Sequence, residues 1–325
     1  MKNRLLTFGL AAAVSMGASI GQAAESVTLK FGLQQPVGSL EYTAVTKMSE
    51  ALKTLSGGTM NMEVFPGGQL GDDRAMLSQV SFSELDMTYA QFERFGLWEP
   101  QAQVVSLPYA ITDYDHLLRV INSEWGQSVQ ASLKDNHNWR IVDTWYLGTR
   151  QTTTNRPIES IEDFKGRKIR VPNAKSNLDF VKYSGGSPVP MAFSEVYLAL
   201  QTNSVDGQEN PLPIINQNKF YEVQNYLALT NHILNDHSVV MSNDRWNGLN
   251  EEQKGWLDAA LKEGGKYHTG QAIAAETEML EFFESQGMKI TKPDITPFRT
   301  AMVEMYSEFE DKVKKPGLVK ELQAL

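Results

Sequence analysis

Between residues 27 and 65 the chain changes its hydrophobic period twice, and that change restricts the fold more than any other feature. Val27, Leu29, Phe31 and Leu33 fall on alternate positions, the spacing of an opening strand with one buried face. Gln34-Gln35-Pro36-Val37-Gly38 breaks the run. Ser39 then stands where it can cap a helix reaching about Leu55, with Ala44, Met48, Ala51 and Leu55 along one face. Gly57-Gly58 ends that helix, and residues 60–65 read as a second strand. Strand, helix and strand at this spacing are the signature of a parallel βαβ unit, so an α/β fold is expected.

The pattern recurs. Gly67-Gly68 and Gly71-Asp72-Asp73 turn into a short helix near Met76. Extended segments follow at 85–89, 140–146, 168–171, 226–230 and 238–241, with helices at 114–133 and 194–202. From 250 to 285 helical character is nearly continuous. A helix of that length would be roughly 50 Å long, wider than one lobe, unless Gly264-Gly265 breaks it. No repeat, low-complexity tract or loose linker is present, so two lobes joined by strands and helices are expected.

Residues 1–23 do not fit this pattern. Lys2 and Arg4 precede an apolar run from Leu5 to Ile20, and Gly21-Gln22-Ala23 suits a small-residue cleavage site. We expect a signal peptide cleaved near Ala23, with the mature chain exported to the periplasm. Its removal takes the formal charge from −9 to −11, which argues against nucleic acid or anionic membrane surfaces as partners. An anionic ligand would then need a local positive island. The absence of cysteine rules out disulfides, thiol catalysis and cysteine-held zinc.

Catalytic motifs are nearly absent: there is no nucleophile elbow, zinc-protease helix, phosphate-binding loop or dinucleotide fingerprint. The five histidines, His116, His137, His232, His237 and His268, show no helical metal spacing. His232 and His237 flank Asn235-Asp236, a combination able to hold a metal. A loop with solvated or hydrogen-bonded imidazoles is the simpler reading, and neither metal nor cofactor is expected.

Two arginines carry the sharper signal. Phe164-Lys165-Gly166-Arg167-Lys168-Ile169-Arg170-Val171-Pro172-Asn173 puts Arg170 in a short apolar strand stopped by proline. Arg150 follows a strand ending in Trp145-Tyr146, among Thr, Gln and Asn. Taken singly, either arginine fits a surface salt bridge or a carbonyl clamp. The two together at strand ends favour a ligand, since a guanidinium so held grips a planar carboxylate with two parallel hydrogen bonds, which lysine cannot reproduce. Asn173 and Asn210 sit beside proline turns, where an amide either caps the turn or recognises hydroxyls and carboxylates. Phe193 is either core or a cleft wall for an apolar sugar face.

At these residues the chain resembles the periplasmic solute-binding proteins of tripartite ATP-independent periplasmic (TRAP) transporters, of the DctP type. The likeness runs along the whole mature chain and is densest at 69–77, 164–173, 190–203, 205–211 and 219–223. Within that family it most resembles the sialic-acid-binding members. The resemblance implies a two-lobed α/β periplasmic binding protein with a strand hinge and a long helix spanning both lobes. Lobe I would be 24–147 plus 236–275, and lobe II 148–235 plus 276–325. It also implies a small-molecule sugar acid in the cleft, delivery to sodium-driven TRAP permease subunits, no enzymatic activity, and a monomer.

By the family pattern Arg170 is the principal carboxylate fork and Arg150 a second contact. Asn210 completes the carboxylate shell, Phe193 lines the cleft, and Asn173 and Asp72 reach the polar body of the ligand. Two positions depart: Gln34 stands where asparagine is expected, and Gln91 where glutamate is expected. Phe92 and Glu93 are also unusual; Phe92 would add bulk to the far end of the pocket, and Glu93 would return charge. Sialic acid and a hexuronate such as galacturonate or glucuronate both fit such a site. Rival readings are a secreted sugar-acid lyase or hydrolase using Asp72 or Glu93 as base, and a periplasmic sensor subunit with the same pocket.

Overall fold

Ser39 caps the first helix: its Oγ accepts the Tyr42 backbone N–H at 3.0 Å, and the helix runs Leu40–Leu55. A computed structural model describes residues 26–325; the expected signal peptide lies outside the described residues. In chain order the strands are β1 (Val27–Gly32), β2 (Met60–Phe65), β3 (Met87–Ala90), β4 (Trp139–Thr154), β5 (Lys168–Val171), β6 (Ser187–Pro190), β7 (Gly207–Pro211), β8 (Tyr226–Ala228), β9 (Leu234–Ser242) and β10 (Lys289–Thr291). They pair in the order β2-β1-β3-β9-β4-β7-β5-β6, with β8 joining β4 to β10.

The parallel units appear at both ends of this path. β1 is parallel to β2 and β3, and β5 is parallel to β6 and β7. The centre differs from expectation, because β9 is antiparallel to β3 and β4, and β4 is antiparallel to β7 and β8. The reason is connectivity. β4 carries the chain out of the first half of the path and β9 carries it back, so the two must run in opposite directions.

β4 is longer than its hydrophobic pattern suggests. Its first part pairs with β9 from Trp139 to Thr149, and its last part pairs with β7 from Arg150 to Thr154. The register slips between Tyr146 and Gly148, where Gly148 adopts a φ of +136°. A Cβ at that position would stand 3.1 Å from Pro211 Cβ. Only glycine passes there without strain.

The long helix Glu251–Ser285 is unbroken at 35 residues and starts on an Asn250–Gln253 capping box. Gly264 and Gly265 do not interrupt it. They let it approach its neighbours, since a Cβ on Gly264 would lie 3.0 Å from Ala44 O, and one on Gly265 2.5 Å from Asp143 Oδ2 and Trp145 Nε1. Its first half packs Leu257, Ala260 and Leu261 against Ala44, Met48 and Trp145. Its second half buries Phe283 among Leu212, Ile215 and Leu227. The helix therefore lies across both halves of the sheet path.

The helix expected at 114–133 is two, Tyr114–Asn122 and Glu124–His137. Ser123 between them is extended, with ψ 170°, and its Oγ accepts the Gly126 N–H at 3.3 Å. Competition of a serine side chain with the helix ladder gives such a break. Three terminal helices, Thr296–Ala301, Val303–Val313 and Leu318–Gln323, fold back so that Leu322 O lies 2.8 Å from His116 Nε2.

Gly265→Ala separates packing from propensity. Alanine favours a helix by roughly 1 kcal/mol over glycine, whereas overpacking costs about 1–3 kcal/mol. Because the blocking atoms belong to a buried tryptophan and its carboxylate partner, we expect a net loss of stability in urea denaturation.

Candidate functional site

Segments from both halves of the sheet path meet around one cavity of about 690 Å³. Gln34, Asp72 and Gln91 line it from the first half, and Arg150, Arg170, Asn173, Phe193 and Asn210 from the second. All eight residues singled out from sequence are brought together here.

Arg170 comes from β5 and pairs with Val189 of β6 on one side and Gln208 of β7 on the other, which fixes its backbone. Its Nε and Nη2 both donate to Met191 O, at 3.2 and 2.7 Å. Its Cζ lies 5.7 Å from the Phe193 ring centroid, within cation–π range. Among the described residues no carboxylate forms an ion pair with it. Burial pulls its pKa down to about 10, opposed by the charge of Glu209. A bound anion would offset that desolvation.

Arg150 is in the opposite condition. Its Nε donates to Glu209 Oε2, and its Nη2 to Glu209 Oε1 at 2.9 Å and Asn210 Oδ1 at 3.1 Å. Nη1 donates to Asn235 Oδ1 at 3.1 Å. Glu209 also accepts from Asn177 Nδ2 at 3.2 Å, and His232 Nε2 lies 2.9 Å from its Oε2. Burial works to raise the Glu209 pKa, but Arg150 and His232 hold it at about 2. His232 stacks flat on Phe180, with centroids 3.8 Å apart. Arg150 thus already carries a carboxylate, and Arg170 does not.

The remaining side chains divide between scaffold and cavity. Asp72 Oδ1 caps the helix Asp73–Ser81 through the Ala75 N–H at 2.9 Å. Asn210 Nδ2 donates to Gln208 Oε1 at 2.6 Å, so its amide is committed on both ends. Asn173 caps no helix, the cap position of Lys175–Tyr183 being Ala174. Gln34 and Asn173 are exposed in the cavity, and Gln91 is half-buried.

Two sequence expectations are corrected. Phe92 adds no bulk to the pocket: it is fully buried, packs on Phe95 and Trp125, and its N–H donates to Asp236 Oδ1 at 3.0 Å. The turn Phe92–Leu97 is a 3-10 helix, so residues three apart share a face and Phe92 sides with Phe95. Glu93 does line the cavity, and burial raises its pKa. His232 is a hydrogen-bonded imidazole in a loop, as expected, but His237 is not in a loop. Both imidazoles are buried, and His237 lies within β9.

The family model for bacterial extracellular solute-binding proteins, family 7 (DctP), matches residues 31–312. The chain belongs to this family. It is 50% identical to the sialic acid-binding periplasmic protein SiaP of Vibrio cholerae, over 96% of each chain. Among solved structures it resembles a TRAP periplasmic solute-binding protein of Ochrobactrum anthropi, whose C-terminus is bound in its ligand-binding pocket. That likeness has a TM-score of 0.86 and 30% identity, covering 93% of this chain and 96% of that one. A TRAP solute-binding protein of Roseobacter denitrificans with bound β-D-glucuronate matches with TM-score 0.82 and 28% identity, over 91% and 99%. This DctP chain has their two-lobed fold and is a solute receptor, not an enzyme. Membership disfavours the lyase and hydrolase readings.

The DctP site contains residues the sequence reading missed. Glu209, Asn177, His232 and Asn235 build the shell that holds Arg150. One signal was available: an acid inside a five-residue strand whose other positions are buried needs a cation, and Arg150 lies on the paired strand.

Glu209→Gln leaves Arg150 buried without its counter-charge. Breaking a buried pair costs about 3–5 kcal/mol, which we expect in denaturant unfolding. Asp236 gives a pH test. Burial raises its pKa to about 6 from 3.8, so its stabilising contribution is full below about pH 4 and is lost as pH rises through about 6. The difference between wild type and Asp236→Asn should change by about 3 kcal/mol across that window.

Proposed function

We propose that this receptor captures a sugar acid by its carboxylate, with Arg170 as the fork. The observation that carries the proposal is the charge balance of the cleft. Two buried guanidinium groups face one cavity, one neutralised by Glu209 and the other bonded only to a backbone carbonyl. A ligand carboxylate on Arg170 would complete the set with charge-assisted bonds. Arg150 and Asn210 would flank that carboxylate, Phe193 would cover it, and Asn173, Asp72, Gln34 and Gln91 would meet the hydroxyls.

Sialic acid is the first ligand. The 50% identity to SiaP supports it, and so does Phe92, whose inward packing leaves the far end of the cavity unfilled. Glu93 supplies a carboxyl beside Gln91, where the family pattern has glutamate. Hexuronate is the second reading. It is favoured by the departures at Gln34 and Gln91 and by the glucuronate-bound relative of R. denitrificans.

The proposal extends to how the receptor works. Export would follow cleavage near Ala23. Lobe I would comprise 24–147 plus 236–275 and lobe II 148–235 plus 276–325, closing about β4 and β9 over the ligand. A monomer would then dock on the membrane subunits of a sodium-driven TRAP permease. A sensor subunit would share the pocket but not the docking partner, and a permease pull-down separates the two.

Calorimetry with sialic acid, glucuronate, galacturonate and a neutral hexose tests the ligand. Arg170→Ala should lose about 2–5 kcal/mol of binding, and Arg170→Lys should recover only part of it, since the planar fork is gone. Wild-type affinity in the lysine variant would overturn the role of Arg170. Tight binding of the neutral hexose would overturn the carboxylate reading itself.

A further inference from the structure

A second polar cluster lies behind the cleft wall, in the first half of the sheet path. Glu41 is in the first turn of the helix Leu40–Leu55, His237 is in β9, and His268 is in the long helix. Their exposures are 3%, 4% and 0%. One donor atom from each lies within 4.8 Å of the others. We propose that Glu41, His237 and His268 bind one divalent transition cation, with zinc the best match.

Three observations converge on this. Both ring nitrogens of His237 and of His268, together with Glu41 Oε2, have no hydrogen-bond partner. Buried polar groups are nearly always paired, so an unpaired nitrogen on each ring beside an unpaired carboxylate oxygen marks a missing partner. Glu41 is also a buried carboxylate with no Lys or Arg in reach among the described residues; its only ion-pair contact is His237 Nε2 at 3.5 Å. Finally, the two rings stand 5.5 Å apart, edge to face at 74°, and do not stack.

The protonation states suit a metal. Burial pulls the His268 pKa down, which favours its neutral imidazole. Burial works to raise the Glu41 pKa, but the neighbouring imidazoles lower it on balance, which favours the carboxylate. Neutral imidazole and ionised carboxylate are the ligating forms. Two further titratable groups neighbour the cluster: Tyr89, whose ring is 4.3 Å from His237 and whose pKa burial raises, and Asp236, whose carboxyl interacts with His237.

Two imidazoles and one carboxylate, without thiolate, are a borderline set that suits zinc over calcium or magnesium. Bonds of about 2.0–2.2 Å would draw the donors inward by side-chain rotation and leave one tetrahedral position for water. The loaded site would tie the first helix, β9 and the long helix together. Because His237 also lines the solute cavity, the tie would stiffen one wall of the cleft.

The test uses untagged protein stripped with a chelator, titrated with zinc by calorimetry and with cobalt by visible absorption. We expect one saturable site, a tetrahedral cobalt spectrum and a raised melting temperature. His268→Gln and Glu41→Gln should each weaken zinc binding at least tenfold and abolish the cobalt bands, while sugar-acid binding persists. No saturable site in wild type, an oxygen-only octahedral cobalt spectrum, or undiminished binding by His268→Gln would each overturn the proposal. Should the variants fail to fold, the wild-type cobalt spectrum decides alone.

Discussion

The burial of Glu209 governs the polar half of the cleft. A carboxylate taken fully out of water needs both a counter-charge and hydrogen bonds to its remaining lone pairs. Its position in β7 sets it beside β4, and Arg150 supplies the charge while His232 and Asn177 fill the shell. That arrangement consumes Arg150. Arg170, on the other side of β7, keeps its charge without a protein carboxylate. In a chain of net charge −9, a guanidinium left unpaired inside a cavity is the positive island an anion requires.

The cleft depends equally on the segments that run through both halves. β4 and β9 cross as antiparallel neighbours, and the long helix lies over them. Gly264 and Gly265 seat the helix closely on the first half, against Ala44 and Trp145, whereas Phe283 anchors it to the second. A continuous helix bends only gently. β4 has a more local freedom, because its register already slips next to a glycine of positive φ at 148. The proposed closure of the halves would therefore bend at that bulge sooner than along the helix.

The sequence made the periodic parts of this molecule legible. β5 at Lys168–Val171 and the cap at Ser39 follow from short-range chemistry, and Arg170 was visible because strand, arginine and proline are adjacent. Phe92 was misjudged for an equally local reason: the turn that carries it repeats every three residues. Phe92 and Phe95 go inward while Gln91, Glu93 and Arg94 line the cavity. The shell around Glu209 and the cluster of Glu41, His237 and His268 had no such signature. Their members come from different elements far apart in the chain, and only the fold makes them neighbours.

The two ends of the cavity consequently make different demands on a ligand. In the proposed site, recognition at the Arg170 end would depend on charge, and a ligand without a carboxylate would leave a desolvated cation without a counter-charge. At the Gln91 end it depends on hydrogen bonds. Sugar hydroxyls both donate and accept, and so does a glutamine amide. Glu93, its pKa raised by burial, moves toward the form in which a carboxyl also donates. Replacing a fixed acceptor by groups of both kinds keeps hydroxyl recognition while relaxing which hydroxyl pattern satisfies it. On the proposed reading, the chemical class of the ligand would be set in β5, and its identity in the short turn that follows β3.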